Sequence, residues 1–442
     1  MVMSIRYYVR LTGAYLTRLK GTIVVGILLG FVIFSIVSVL APAFFKRSDE
    51  RIGVQGRYHT NELPTEILDL IGDGLTKVGE DSMVEPDLAT SWDTPDKGKT
   101  WIFHLKDDIA WQDEVAFTSN SINYEFENVT IEKPDEKTII FKLEENLYSP
   151  FPSVLSKPVF RKGLLGTGEW KVDKITTISG SYVHELILVD KNKNRKLFKF
   201  YPTLERTKLA FKLGEIDKIE NIIEPTPFLE WNTAQVIPKT NLNQVVVLFF
   251  NNTDPKLSDK TLRRALIYAI DKDSLGARAL GPISPVSWAF NPQVKPYAYD
   301  TNHAKDLINE LSDEQTKDLE LKIVTSPVLL SSAEKIAKNW IELGIKTQVQ
   351  ITSVVPEEFQ AYLTIFDMPK DPDQYPLWHT TQKNSNITNY TSPRIDSLLE
   401  EGRRQLDIEE RRKIYLDFQR FLLEDAPAAF LYHPTYYTIT RK

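Results

Sequence analysis

The histidine and carboxylate residues of this 442-residue chain are the first candidates for metal or acid–base chemistry. The histidines stand far apart, and neither HExxH nor H-x-x-x-H spacing occurs. Asp271 with Asp273 and Asp371 with Asp373 look like the start of a calcium loop, but each lacks the glycine and glutamate that such a loop requires further on. The patterns argue against a histidine zinc site and favour a helix-end cap and a turn over calcium sites.

A glycine-rich stretch, Gly163 to Trp170 (GLLGTGEW), has the G-x-x-x-x-G spacing of a phosphate-binding loop. Glu169 occupies the place of that loop's lysine, and a carboxylate there would repel phosphate. No G-x-S-x-G motif occurs, and no pattern singles out a paired-carboxylate hydrolase. The sequence therefore predicts a glycine-permitted turn here, and it indicates no enzyme, cofactor or metal.

Composition limits the class of protein further. The chain is 42% apolar and 26% charged, which is typical of a globular protein with a sizeable core, and its length favours two or more lobes. It contains no cysteine, so disulfides, thiolate metal sites and thioether-linked lipids are excluded. A net charge of -6 argues against nucleic acid as a partner, because such a partner requires a basic face.

Charge is distributed unevenly at the N-terminus. Residues 1–20 contain basic residues and no acid, and residues 21–45 carry no charge. At about 1.5 Å per residue, a helix over 21–45 exceeds the ~30 Å hydrocarbon core of a bilayer. We therefore expect a cytoplasmic basic stub, a single-pass anchor in the cell membrane, and an extracytoplasmic main domain. A cleaved signal peptide is one alternative, since Ala41-Pro42-Ala43 has the form of a cleavage site, but the apolar run is longer than a signal peptide needs. A buried core helix is the other, and the absence of a polar face together with the basic flank argues against it.

Hydrophobic periodicity predicts the elements that must position any site. Residues 100–106 and 138–143 have the pattern of strands in a small β-rich unit, and the apolar run Gln244 to Phe250 indicates a strand covered on both faces. Later, alternation around 319–323, helical spacing over 333–341, and alternation over 345–351 predict a strand–helix–strand unit with parallel strands.

Three shorter signals predict helix boundaries in the same half of the chain. Gly344 ends the helix of the strand–helix–strand unit. Ser392-Pro393 and Asp407 each have the residue types favoured where a helix begins. The fold class predicted from these patterns is α/β with an additional β-rich portion.

A series of segments, in order along the chain, resembles the extracellular solute-binding proteins of ABC importers, family 5, which includes dipeptide-, oligopeptide- and nickel-binding members. Each segment alone is weak evidence for the resemblance, but the segments occur in the family's order and together cover roughly residues 52–439. The matching segments are VEPDLATSW at 84–92, KTWIFHL at 99–105, DDIAWQDEVAFTSNSI at 107–122, GTGEWKV at 166–172, GEID at 214–217, LRRALIYAIDKD at 262–273, YDTNHAKDL at 299–307, DPD at 371–373, YTSPRIDSL at 390–398, and DAP at 425–427 with LYH at 431–433.

The resemblance implies a two-lobed fold of the type II periplasmic-binding-protein class, in which the lobes close on a ligand. It also implies a small β-rich subdomain inserted in the first lobe, here preceded by the predicted transmembrane helix. The expected division is a stub at 1–20, an anchor at 21–45, lobe I at 46–240 with the insertion at about 84–160, lobe II at 241–424, and a return strand to lobe I at 425–442.

The function implied by the resemblance is capture of a peptide-like ligand and its delivery to the permease and ATPase subunits of an ABC importer. Lipid-anchored members carry a cysteine at the processed N-terminus, so in this chain the predicted helix would replace the lipid. A ligand-sensing receptor on the same fold is an alternative, and a surface hydrolase is a weaker one.

The resemblance also suggests ligand-binding residues. In the family an aspartate in the segment leading into DPD commonly pairs with the α-amino group of the ligand. That segment is Phe366 to Tyr375 (FDMPKDPDQY), so Asp367 is the first candidate and Asp371 the second. Arg394 could meet a ligand carboxylate, although an exposed position in a first helical turn is the simpler interpretation. Aromatic residues that could line the cleft, or belong to the core instead, are Trp111, Trp288, Trp378 and Tyr390.

One motif departs from the family pattern at a turn. The family's WxDG is Trp111-Gln112-Asp113-Glu114 here, with glutamate in place of glycine. Glycine is the usual residue where a turn needs a positive φ, so the geometry of this turn cannot be carried over from the family.

Overall fold

The structure is a computed structural model that describes residues 29–31, 49–144, 148–316 and 319–442. In these ranges we find no helix that combines the length and the apolar character needed to cross a bilayer. The predicted stub at 1–20 lies outside the described residues, as does the predicted anchor at 21–45 apart from residues 29–31.

The described residues form runs of consecutive strands in the first half of the chain and a mixture of strands and helices in the second half. The strands are β1 (Asp49–Gln55), β2 (Thr76–Val78), β3 (Val84–Pro86), β4 (Ala89–Asp93), β5 (Thr100–Leu105), β6 (Val129–Asp135), β7 (Thr138–Leu143), β8 (Lys171–Ile178), β9 (Tyr182–Val189), β10 (Arg195–Tyr201), β11 (Lys218–Ile222), β12 (Ala234–Thr240), β13 (Gln244–Phe250), β14 (Ala277–Arg278), β15 (Glu320–Thr325), β16 (Lys346–Ile351), β17 (Ala361–Asp367), β18 (Ala428–His433) and β19 (Thr435–Arg441). The helices are α1 (Thr65–Ile71), α2 (Phe151–Val154), α3 (Leu204–Leu213), α4 (Lys260–Tyr268), α5 (Thr301–Asn309), α6 (Asp313–Thr316), α7 (Leu330–Glu342), α8 (Tyr375–Trp378), α9 (Pro393–Arg404) and α10 (Ile408–Asp425).

Lobe I is built on a seven-stranded sheet with the order β12-β19-β11-β1-β10-β9-β8. β1 pairs in parallel with β10 and β11, and the remaining pairs are antiparallel. A four-stranded antiparallel sheet, β4-β5-β7-β6, forms a β-rich subdomain beside it. Because inward side chains alternate along β5 and β7, Trp101, Phe103, Ile139 and Phe141 fill the separate core of this subdomain.

Lobe II is built on a six-stranded sheet with the order β14-β18-β13-β17-β15-β16. β13 is its most apolar strand, and six of its seven residues are buried, because helices and loops cover both faces. β15 pairs in parallel with β16 and β17. Because β15 and β17 are parallel, their C-terminal ends lie at the same edge of the sheet. β17 ends at this edge with Asp367.

Two short crossovers join the lobes. Residues 241–243 lead from β12 to β13, and Pro434 alone leads from β18 back to β19. The crossovers lie side by side, because the Asn241 N–H donates to the Pro434 carbonyl at 2.9 Å. β12 pairs with β19 on one side and β13 with β18 on the other, so an antiparallel ribbon runs through the hinge.

Several predictions of local structure are confirmed. The strands expected at 100–106, 138–143 and 244–250 are β5, β7 and β13, and the predicted strand–helix–strand unit is β15-α7-β16 with parallel strands. Gly344 follows α7 with a φ of +90°. Asp407 begins α10 by accepting hydrogen bonds from the N–H groups of Glu409 and Glu410, both at 3.0 Å.

The turn that lacks the family's glycine keeps a left-handed backbone. Glu114 has a φ of +67°, and its N–H donates to the Trp111 carbonyl at 2.8 Å. A glutamate in this region is strained relative to glycine, and the hydrogen bond holds the turn closed nevertheless.

Candidate functional site

The cleft between the lobes contains a cavity of about 540 Å³. Tyr148 and Ser153 of lobe I line one side of it, and lobe II residues from Phe366 to Ser385 line the other. A ligand held between lobes loses most of its contact with water on closure, and polar groups of both lobes can satisfy it. A larger groove of about 710 Å³ is lined by lobe II residues alone, so it does not lie between the lobes.

Asp367 lies at the end of β17 and lines this cavity. Its Oδ1 accepts a hydrogen bond from Gln244 Nε2 at 2.5 Å. Within the described part of the chain its Oδ2 has no hydrogen-bond or ion-pair partner, and the residue is exposed. One carboxylate oxygen therefore remains available to an ammonium group in the cleft.

Asp371 lines the same cavity but is already paired. Arg411 donates to both of its carboxylate oxygens, at 2.5 and 2.8 Å, and both side chains are nearly buried. Burial alone would lower the pKa of Arg411, but the Asp371 carboxylate more than offsets it and the net shift is upward. The geometry makes Asp371 a brace between the loop and α10, which leaves Asp367 as the stronger of the two ligand candidates.

Asp373, which is buried, forms a second ion pair at the closing edge of the cleft. Arg403 donates to its Oδ2 at 2.9 and 3.0 Å, and the guanidinium lies over the rings of Tyr375 and Tyr148. Burial, together with the charge of Asp373, raises the pKa of Tyr148. The backbone N–H of Ser149 donates to the Arg403 carbonyl at 2.7 Å, so lobe I and lobe II touch here.

Lys370 is the cation that lines this cavity without an ion pair inside the described ranges. It is exposed, and it comes three residues after Asp367. Across the cleft, burial raises the pKa of Asp69 in α1, and the positive charge of Lys370 opposes that shift. The cavity thus presents a carboxylate with one unpaired oxygen at the end of β17 and, three residues later, an ammonium group that has no ion pair in the described ranges.

Trp288 lines a smaller interlobe cavity of about 180 Å³, together with Asp371 and Arg411 of lobe II and Trp92 and Trp101 of lobe I. Its backbone N–H donates to the Asp81 carbonyl at 2.8 Å, which is another contact between the lobes. The structure therefore brings Asp367, Asp371 and Trp288 to the cleft.

The remaining four candidates lie elsewhere. Trp111 is buried in the core of the β-rich subdomain, and Trp378 and Tyr390 are buried in the core of lobe II. Polar atoms of these rings have internal partners, such as Asp425 for the Tyr390 hydroxyl at 2.6 Å. The exposed Arg394 guanidinium lies over the ring of Phe421 at 4.2 Å. None of the four lines the interlobe cavities of about 540 and 180 Å³, and none is part of the proposed ligand site.

Three residues of the cleft did not emerge from sequence reasoning. Lys370 lies between the two candidate aspartates in the sequence. Its positive charge, which could bind a ligand carboxylate, is the signal that points to it. Gln244 is the polar first residue of an otherwise apolar strand. Tyr148 has no distinguishing pattern, because only the approach of the two lobes places it at the cavity.

The arrangement is suited to holding a ligand with separate positive and negative groups. A carboxylate with an unpaired oxygen binds an ammonium group, and a free lysine binds a carboxylate. No group of three or more histidine, aspartate or glutamate side chains that could hold a metal ion occurs in the ranges that the structure describes.

Comparison with known proteins gives the same architecture. The chain is 21% identical to the dipeptide-binding protein of Escherichia coli (strain K12), with 83% of this chain and 84% of that protein covered. The structure of NikZ from Campylobacter jejuni, in complex with Ni(L-His), matches with a TM-score of 0.73 at 22% identity, covering 90% of this chain and 94% of NikZ. The oligopeptide-binding protein AppA from Bacillus subtilis, in complex with a nonapeptide, matches with a TM-score of 0.68 at 19% identity, covering 89% and 94%.

These structural likenesses show a two-lobed type II periplasmic-binding-protein fold. The family profile described as bacterial extracellular solute-binding proteins, family 5 middle, matches residues 83–386, which is more than half of the chain. Members of this family are solute-binding proteins rather than enzymes. The chain therefore belongs to family 5 of the bacterial extracellular solute-binding proteins.

Proposed function

We propose that this protein captures a short peptide-like ligand between its lobes, outside the cytoplasm, and delivers it to the permease and ATPase subunits of an ABC importer. The observation that carries the proposal is the interlobe cavity of about 540 Å³ with Asp367 and Lys370 on its wall. The α-amino group of the ligand would bind the available oxygen of Asp367, and its carboxylate would bind Lys370.

The charge pattern of the cavity supports a peptide over a neutral sugar. A neutral sugar offers no charged group to Asp367 or Lys370, so burying these side chains against it would leave both charges uncompensated. A zwitterion with a short backbone satisfies both. The names of the relatives, which include dipeptide- and oligopeptide-binding proteins, agree with this choice.

The proposal includes the division of the chain expected from its sequence. Residues 46–240 would form lobe I, with the insertion at about 84–160, residues 241–424 would form lobe II, and 425–442 would return to lobe I. Residues 21–45 would anchor the protein in the membrane, so that the captured ligand stays close to the importer.

The test is calorimetric titration of the purified full-length chain with matched ligands. A panel of free dipeptides would be compared with the same dipeptides carrying an N-acetyl group, and with a second set carrying a C-terminal amide. Free dipeptides should bind. N-acetylation, which removes the charge that meets Asp367, should weaken binding more than amidation does.

Asp367→Asn provides the internal check, since it should abolish the preference for a free amino group. Asp306→Asn, at an exposed position on α5, serves as the matched control. Equal binding of acetylated and free peptides by the wild-type chain, or no binding of any peptide in the panel, would refute the proposal.

A further inference from the structure

The hinge side of the cleft contains a chain of two hydrogen bonds that ends at the proposed ligand-binding carboxylate. Gln244 Nε2 donates to Asp367 Oδ1 at 2.5 Å, and Gln244 Oε1 accepts from the Tyr436 hydroxyl at 2.6 Å. Since an amide has its donor and acceptor on opposite sides, the phenol and the carboxylate together fix its orientation. We call these three side chains the hinge relay.

The hinge relay crosses from one lobe to the other. Asp367 ends β17 and Gln244 begins β13, both in the sheet of lobe II, whereas Tyr436 is the second residue of β19 in the sheet of lobe I. Gln244 directly follows the 241–243 crossover, and Tyr436 lies two residues after Pro434, the other crossover. Because the two residues stand on different lobes, a rotation about these crossovers that moves the start of β19 away from the start of β13 breaks the Tyr436–Gln244 bond.

Backbone contacts hold the lobe II part of the relay firmly. The Met368 N–H donates to the Asn243 carbonyl at 2.9 Å, directly beside Asp367. The carbonyl of Gln244 accepts from His433 Nδ1 at 2.8 Å, and Nδ1 must be the donor because a carbonyl oxygen only accepts. The contact that depends on the position of lobe I is thus the one made by the Tyr436 hydroxyl.

Burial does not require this arrangement. Asp367 is exposed, and Gln244 and Tyr436 are only partly buried, so water could satisfy each polar group in a more open cleft. With the lobes in contact, the bonds instead assign Oδ1 of Asp367 to Gln244, and Oδ2 of this cavity-lining residue has no partner within the described residues.

We propose that Gln244 and Tyr436 are positioning residues that couple the orientation of Asp367 to closure of the lobes. With the Tyr436 bond in place, the amide is held and the carboxylate presents one oxygen to the ligand. With the bond broken, the amide can turn and that presentation is lost. By reciprocity, a ligand ammonium group on Asp367 favours the lobe arrangement in which Tyr436 reaches Gln244. The ligand part of this inference rests on the proposed function.

The first measurement needs no ligand. Because the chain has no cysteine, an Ile178→Cys, Ile341→Cys pair provides unique attachment points for spin labels, one exposed on β8 and one on α7. Tyr436→Phe, which deletes only the hydroxyl, should shift the interlobe distance distribution of the full-length chain toward open forms by about threefold to tenfold in population, as expected for one hydrogen bond.

Tyr437→Phe is the matched control, since Tyr437 is the next residue on β19 and packs with the lobe I core, and its hydroxyl has no bonded partner among the described residues. It should leave the distribution unchanged. An unchanged distribution in Tyr436→Phe, or an equal shift in both variants, would overturn the proposal.

The second measurement is a double-mutant cycle with dialanine as the probe. Tyr436→Phe should weaken binding about threefold to tenfold in the wild-type background and have no further effect in Asp367→Asn, because the relay acts through that carboxylate. Additive losses in the cycle would show that Tyr436 acts independently and would overturn the coupling. If dialanine binds no variant, the proposed ligand class fails, and the label distances still decide whether the relay responds to closure.

Discussion

The two sides of the cleft use aspartate in opposite ways. At the closing edge, Asp371 and Asp373 are each paired with an arginine and are nearly buried. At the hinge side, Asp367 is exposed, lines the cavity, and accepts one hydrogen bond from Gln244, which leaves its second carboxylate oxygen unpaired among the described residues. Residue type and proximity in sequence therefore do not decide which carboxylate meets a ligand. The deciding factor is whether the carboxylate is already paired with a cationic side chain of the protein.

The difference has a physical basis in the location of the arginines. Arg403 lies on α9 and Arg411 on α10, and each pairs with one aspartate of the loop, so these two aspartates become braces. A buried pair of this kind costs desolvation and is stable only while both charges remain. Asp367, at the end of β17, has no arginine or lysine partner among the described residues and keeps its capacity for an external cation.

The largest expected effect comes from breaking the buried pair. Arg411→Leu leaves Asp371 unpaired in a nearly buried position, so we expect the free energy of unfolding of the chain to fall by about 3–5 kcal/mol. Urea titration followed by circular dichroism measures this. The neighbouring exposed Arg412→Leu should change it by less than about 0.5 kcal/mol. Similar losses in both variants would contradict the bracing role.

The next effect should appear in binding and not in stability. Asp367→Asn removes a charged acceptor, so we expect the free energy of dipeptide binding to weaken by about 1.5–3 kcal/mol, while urea unfolding stays within about 0.5 kcal/mol of the wild-type value. Calorimetric titration gives the first quantity. A marked loss of stability with unchanged affinity would assign Asp367 to the same class as Asp371.

A smaller effect is expected at Lys370, which is exposed and therefore screened. Lys370→Met should weaken binding of a free dipeptide by about 0.2–1 kcal/mol and leave binding of its C-terminal amide unchanged. Competition titrations with the two ligands measure the difference. Lys383→Met, another exposed lysine of lobe II, is the control. An equal effect on both ligands would exclude a carboxylate role for Lys370.

The smallest expected effect is a pH dependence at the hinge. Burial lowers the pKa of His433, and its hydrogen bond to Gln244 opposes the shift. Below about pH 6.5 the unfolded chain binds this proton more readily than the folded chain, so the histidine makes stability fall as the pH falls. The difference in unfolding free energy between pH 7.5 and pH 5.5 should therefore be smaller in His433→Gln. An identical difference would show that His433 is not a source of the pH dependence.

Much of the fold could be predicted because it depends on local patterns. Gln244 to Phe250 is apolar throughout and forms the buried strand β13, and the residues around 319–351 change period twice and form a parallel strand–helix–strand unit. Asp407 begins α10 as its residue type predicts, because capping is satisfied by N–H groups two and three residues away. Glu114, by contrast, adopts a left-handed turn that its residue type disfavours, since the surrounding chain holds it there.

The site was predictable only in part. The segment from Phe366 to Tyr375, which includes both aspartates, is predictable from the sequence, but the choice between Asp367 and Asp371 depends on Arg411, which is 40 residues from Asp371 in the sequence. Trp378 and Tyr390 are of the residue types expected in a binding cleft, yet they fill the core of lobe II. An aromatic ring has the same sequence signature in either place, and only packing separates them.

By itself the sequence determined the family, the strongly periodic strands and helices, and the segment in which ligand recognition is proposed. Each of these depends on residues close together in the chain or on motifs in a fixed order. The tertiary structure decided which carboxylate remains available, which aromatics are core, and that Gln244 and Tyr436 connect Asp367 to the hinge. These outcomes depend on contacts between residues up to 192 positions apart, such as Tyr436 with Gln244, and only the folded arrangement of both lobes creates them.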